Sequence, residues 1–134
     1  MKKALTILFF LTVLFVISQT SNSQTLTFCS GVDDDGYAIG QSSTFYIPSG
    51  GGWFYFLTRL PYEVGCKAVS YELYEVDDYG YETYNTTIDQ TGLSKNWVWF
   101  RYKVTFYRSG YYHVYLRDCF NYVLTDAYVS IYYK

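Results

Sequence analysis

The chain has 134 residues, of which 18 are Tyr, 10 Phe and 3 Trp, an aromatic share of 23% against a charged share of 16%. That balance excludes intrinsic disorder, which goes with few aromatics and much charge. With a formal net charge of −2, nucleic acid is not an expected partner, because phosphate binding needs a concentrated basic surface.

The chain opens with Met1-Lys2-Lys3, an apolar run over residues 4–17 and a small, polar stretch over residues 18–23. This is the pattern of a secretory signal peptide spanning 1–23, with cleavage after Ser23. The apolar run of 14 residues is shorter than the roughly 20 that span a bilayer, which argues against an uncleaved anchor. Phe28 directly before Cys29 argues against lipidation of that cysteine. Cleavage leaves 111 residues, enough for one small domain, with 8 basic and 12 acidic side chains and a net charge of −4. The expected location is secreted, periplasmic or extracellular, and no later segment is apolar and long enough to cross a membrane.

In an oxidising compartment, Cys29, Cys66 and Cys119 make one disulfide and one leftover thiol by the simplest arithmetic. With His113 they form a formal zinc set, but no pair has C-x-x-C spacing, so no metal is expected from them. Residues 24–42 form an N-terminal segment with few strong signals, one that could lie across either sheet. Within it, Asp33-Asp34-Asp35-Gly36 could offer oxygen ligands to calcium, yet it lacks the alternating spacing and distal Glu of an EF-hand. A solvated acidic turn is the commoner meaning of such a run.

From residue 43 onward, period-two alternation dominates. In residues 97–106 the even positions Val98, Phe100, Tyr102, Val104 and Phe106 mark a buried face, with Trp97, Trp99, Arg101, Lys103 and Thr105 on the other. The same phase places Val69, Tyr71 and Leu73 inward, then Tyr112, Val114 and Leu116, then Ala127, Val129 and Ile131. Residues 53–57 are apolar at both parities, as in a central strand crowded on both sides. Turns at 48–52, 77–80, 91–92 and 109–110 delimit strands near 43–47, 53–59, 66–76, 79–85, 97–107, 111–118 and 122–133. No stretch after residue 23 shows a helical period. About seven short strands in 43–134 describe an all-β, two-layer antiparallel β-sandwich.

The stretch Phe106-Tyr107-Arg108-Ser109-Gly110-Tyr111-Tyr112-His113-Val114 resembles the corner that opens the penultimate strand of immunoglobulin-like modules of secreted bacterial proteins. The resemblance implies an immunoglobulin-like sandwich in which the Tyr112 hydroxyl closes the turn. It covers about the last 40 residues, and departs from antibody-type domains in having Val114 where their second core cysteine falls.

Setting Cys66 opposite Cys119 in an antiparallel pairing of 66–76 with 111–118 puts Leu73 opposite Tyr112, Tyr71 opposite Val114 and Val69 opposite Leu116, so all inward residues coincide. This supports a Cys66 to Cys119 disulfide and leaves Cys29 free or paired between molecules. The hairpin to the last strand, with Val114 opposite Val129, adds an Arg117 to Asp126 ion pair. The outer rows become Tyr74, Tyr111, Tyr132, then Glu72, His113, Ser130, then Ser70, Tyr115, Tyr128. Trp97 and Trp99 are expected on the other sheet.

Such tyrosines stabilise a sheet through cross-strand pairs, and an exposed aromatic surface also suits the apolar faces of sugar rings or a protein interface. The candidate ligand-binding residues are therefore Tyr74, Tyr111, His113, Tyr115, Tyr128, Tyr132, Trp97 and Trp99. A His113 and Glu72 dyad has no nucleophile in a Gly-x-Ser-x-Gly elbow to serve, and a domain this small has little loop mass for an enclosed cleft. No catalytic activity and no cofactor are expected. Asn85-Thr86-Thr87 is a formal glycosylation sequon. Two functions fit: a secreted binding module for a glycan or extracellular protein, and a structural or adhesion subunit that self-associates or docks on a larger partner.

Overall fold

The computed structural model describes residues 23–134; the expected signal segment 1–23 lies, but for Ser23, outside the described residues. Among the described residues, nine strands form two sheets: β1 (Thr25–Val32), β2 (Ala38–Gln41), β3 (Thr44–Ile47), β4 (Gly52–Arg59), β5 (Val69–Val76), β6 (Glu82–Gln90), β7 (Trp99–Phe106), β8 (Gly110–Arg117) and β9 (Val123–Tyr133). The four-stranded sheet runs β2-β1-β4-β7 and the five-stranded sheet β3-β9-β8-β5-β6. The fold is an all-β sandwich. Two strands, β1 and β2, fall in residues 24–42, where the sequence offers no clean alternation because Phe28 and Cys29 are buried on successive positions. All pairings are antiparallel except β3 with β9, which run parallel.

Inward phase residues meet as the alternation requires, except Val98, which lies before β7 and is 43% exposed. Phe54, Phe56, Tyr71, Leu73, Phe100, Val114, Leu116, Val129 and Ile131 are all buried. Phe54 stacks between Phe45 and Phe106, with centroid distances of 4.0 and 5.0 Å, while Phe56 meets Tyr71 edge to face at 5.2 Å. A fully buried aromatic of this kind stabilises the fold by about 1.5–3 kcal/mol. The outer side of β4 is only partly covered: Leu57 is buried, whereas Trp53 is about half exposed with the Lys103 amine over its ring.

The Cys66 to Cys119 disulfide is present, with Cα atoms 5.8 Å apart, and Cys29 is a buried free thiol. The register between β5 and β8 nevertheless differs by two residues from that expected. Leu73 lies opposite Val114 and Tyr71 opposite Leu116, rather than Tyr112 and Val114. Both cysteines lie beyond the strand ends, so the bond does not dictate the ladder. A two-residue slip preserves parity, so each side chain keeps its face but changes its cross-strand neighbours. The β8 to β9 hairpin is displaced likewise, with Val114 opposite Ala127.

Three hairpin turns share one design. Asp33, Asp77 and Asp118 each accept, through Oδ1, the backbone N–H groups of the second and fourth residues onward, at 2.9 Å. Gly36, Gly80 and Asn121 supply the left-handed residue at the fourth position, with φ of 83°, 86° and 69°. At Asp118 the intervening residues are Cys119 and Phe120, so the conformation requires neither Asp34 nor Asp35.

The Tyr112 hydroxyl donates to the Arg108 carbonyl at 3.2 Å and closes the turn before β8. On the side where β6 and β7 are the sheet edges, Gln90 ties the layers together. Its Oε1 accepts from the buried Tyr71 hydroxyl at 2.8 Å, and its Nε2 donates to the Arg101 carbonyl at 2.9 Å. Tyr71→Phe is expected to lower the unfolding free energy by about 1–3 kcal/mol, because a buried amide oxygen loses its donor. Urea unfolding checks this, with Tyr132→Phe, on an exposed ring, expected to stay within about 0.5 kcal/mol of the wild type.

Candidate functional site

Two aromatic surfaces compete for a functional role. On the outer face of the five-stranded sheet, Tyr111, Tyr128 and Tyr132 are exposed, whereas Tyr74 and Tyr115 are half-buried and His113 is buried. The two-residue slip replaces the expected rows: Tyr74, His113 and Tyr128 now lie side by side, as do Glu72, Tyr115 and Asp126. Tyr132 instead neighbours Tyr46 on β3. Arg117 consequently pairs with Glu72 and not with Asp126.

His113 sits at the centre of this face. Its ring stacks on Tyr128 at 3.9 Å and lies 4.1 Å from Tyr115. Nδ1 faces Glu82 Oε2 at 3.1 Å and Nε2 faces Asp126 Oδ2 at 2.6 Å, so its acidic partners are Glu82 and Asp126 rather than the expected Glu72. A neutral imidazole has one N–H and can donate to one of them; the imidazolium donates to both. Glu82 also accepts from the Tyr115 hydroxyl at 2.8 Å. Partial burial alone would raise the Glu82 carboxyl, but the hydrogen bonds from His113 and Tyr115 outweigh it and hold the group below the usual carboxylate range. Burial, then the hydrogen bond to Glu82 and its charge, push the Tyr115 phenol up to about 12. The Tyr128 phenol is raised by burial and then by Glu82.

These rings spend their faces on one another. Tyr128 stacks on His113 and on Tyr111, the latter at 5.5 Å, and Tyr74 meets Tyr84 and Tyr115 edge to face. A ring stacked on neighbours of the same sheet presents its edge to solvent and leaves little flat surface for a sugar.

The second surface is concave. A cavity of about 620 Å³ opens at the β6 and β7 edges and is lined by Asp33, Asp34, Gln90, Thr91, Gly92, Asn96, Trp97, Val98, Trp99 and Arg101. Trp97 lies in the loop before β7, not on the strand as expected, and is 41% exposed. Trp99 starts β7 and packs over Gly36, where any side chain would overlap the indole. Arg101 is anchored by donating from Nη1 to the Val32 carbonyl at 3.2 Å. Asp33 is occupied by its turn through Oδ1, while Asp34 is exposed beside it. The fold thus joins the tryptophans to the acidic turn, two features that the sequence left unrelated. Among the described residues, no group of three or more His, Cys, Asp or Glu side chains is arranged to hold a metal. Nor, among them, is any helix long and apolar enough to cross a membrane.

The architecture and surface define an all-β sandwich protein with one disulfide and a tyrosine-rich surface. No protein-family model, curated protein or solved structure matches the chain.

The clamp on His113 makes stability depend on pH at both ends. A carboxyl held low, such as Glu82, stabilises the fold above its unfolded value near 4.5, and this contribution is lost as pH falls through the folded value. A phenol held high, such as Tyr115, stabilises below an unfolded value near 10 and loses that contribution as pH rises through about 12. Glu82→Gln is expected to flatten the melting temperature against pH in both windows; unchanged slopes would show that Glu82 does not set them.

Proposed function

We propose that the protein is an exported, non-enzymatic binding module that holds a carbohydrate in the cleft between Trp97, Trp99 and the Asp33-Asp34 turn. The observation that carries this reading is the cleft itself, in which two indoles meet carboxylates, an amide and a guanidinium within about 620 Å³. Indole faces suit the apolar C–H faces of a sugar ring, and the rim groups suit its hydroxyls. Export is supported by the signal pattern of 1–23 and by the disulfide, which fits an oxidising compartment.

A binding role is favoured over catalysis by the placement of the cleft's acids. Asp33 and Asp34 are consecutive in one turn, and Asp33 is spent on that turn, whereas glycoside hydrolysis places two carboxylates on opposite sides of the scissile bond. The immunoglobulin-like reading of the sandwich is supported by the Tyr112 to Arg108 bond and by β3 crossing to pair with the last strand.

Glycan-array screening followed by calorimetry tests the proposal. Trp97→Ala is expected to weaken binding at least about tenfold, in line with the loss of one stacking surface, with the melting temperature nearly unchanged. Tyr111→Ala combined with Tyr132→Ala is expected to leave affinity within about twofold. The opposite pattern would move the site to the tyrosine face, and a protein that binds no glycan would refute the proposal.

A further inference from the structure

The ionisable residues of the strands are sorted by sheet. Strands β1, β2, β4 and β7 contain no Asp or Glu, and their charged residues are Arg59, Arg101 and Lys103. Strands β5, β6, β8 and β9 carry Glu72, Glu75, Glu82, Asp89 and Asp126 against Arg117, with His113 held between two of the acids. Glu75 keeps the inward parity of Tyr71 and Leu73, but the outward Glu72, Glu82, Asp89 and Asp126 make one outer face acidic and Arg59, Arg101 and Lys103 make the other basic, in a chain whose overall charge is only −2. Random placement rarely separates signs so completely across two layers that interleave in sequence.

Both faces are also aromatic and open. On the basic face, Lys103 Nζ stands 4.0 Å from the Trp53 ring and the Arg59 guanidinium 4.2 Å from that of Tyr37, yet both rings are about half exposed. On the acidic face, Tyr46, Tyr84, Tyr111, Tyr128 and Tyr132 are exposed to a similar degree. Exposed apolar patches of this extent commonly mark interaction surfaces. Five strands spaced about 4.8 Å apart and eight residues long make a face of about 24 by 27 Å, on the order of 650 Å². That is close to the roughly 800 Å² per partner of a standard interface.

We infer that these two faces are complementary docking surfaces, the basic face of one copy of this chain seating on the acidic, tyrosine-bearing face of the next. The occupant is a second copy because the fold itself displays the partner surface, opposite in sign and likewise bearing exposed aromatic rings. Pairing either face with its own equivalent brings like charges together, which disfavours a two-fold dimer. The contact is heterologous, and association continues into an open row. The acidic turn at Asp33 to Asp35 marks one end of the basic face, beside Arg59, which donates to the carbonyls of Asp35 and Gly36. The docking charge therefore centres on Arg101 and Lys103 of β7. Arg101 also lines the proposed carbohydrate cleft, but Lys103 and Asp89 do not, so substitutions at those two positions test docking separately from binding in the cleft.

Sedimentation velocity over a wide concentration range tests it. At low ionic strength the weight-average mass is expected to rise beyond that of a dimer, and to fall toward the monomer in 1 M salt, where the screening length shrinks to about 3 Å. Lys103→Glu and Asp89→Lys, each on an exposed strand position, are expected to weaken association roughly five- to tenfold. Far-UV circular dichroism confirms that both variants fold. A mass that stays monomeric at all concentrations, a closed dimer, association strengthened by salt, or two folded variants that associate like the wild type would each overturn the inference.

Discussion

The amide of Gln90 is the interaction on which the open side of the sandwich depends. Two edge strands from different sheets, β6 and β7, meet there without a ladder between them. Gln90 spans the gap, accepting from the buried Tyr71 hydroxyl and donating to the carbonyl of Arg101 on the exposed edge of β7. Burying an amide costs several kcal/mol unless both ends are satisfied, and here both are. The same side chain forms part of the cleft wall, beneath Trp97, Trp99 and Arg101. An open seam of the sandwich and the tryptophan-lined cleft therefore coincide. The cleft residues of β7 and of the β1–β2 turn share the four-stranded sheet, whereas Gln90, Thr91 and Gly92 reach the cleft from the β6 side of that seam.

The tyrosine excess has two separate physical explanations. Inward Tyr71 and Tyr112 are core residues whose hydroxyls found buried or turn-closing acceptors. Outward Tyr74, Tyr111, Tyr115 and Tyr128 form a ladder around His113, with ring faces committed to neighbours in the same sheet and the Tyr115 hydroxyl bonded to Glu82. Such a ladder stiffens one face and presents ring edges and acidic groups outward. The indoles at the β7 edge are differently placed: Trp97 stands on a loop, with its surface turned to a cavity instead of to other rings.

Much of this fold was legible because alternation reports which face each residue occupies, and parity survives any even slip in register. Inward Val69, Tyr71, Leu73, Val114 and Val129 are all buried as their phase requires, and the Cys66 to Cys119 bond follows from pairing those strands. Cross-strand neighbours were not legible, since a slip of two residues keeps every side chain on its face and alternation alone does not distinguish the two registers. The partners of His113 were therefore misassigned, and its burial under two tyrosines was missed. β1 was hidden by consecutive buried positions at Phe28 and Cys29, whereas the turn at Asp118 falls where the strand bounds left it, between residues 118 and 122. The meeting of Asp33 with Trp99 joins residues 66 positions apart through the packing of an indole over Gly36, which no local pattern encodes.

The central claim is that ligand binding belongs to the β7 edge cleft and not to the tyrosine face. An amide and indole nuclear magnetic resonance titration with the best glycan from array screening tests it most directly. The account predicts that the Trp97 and Trp99 indole N–H signals, with the amides of Asn96, Arg101 and Asp34, shift together and saturate. Shifts confined to Tyr111, His113, Tyr128 and Tyr132, with the indole signals unmoved, would contradict it.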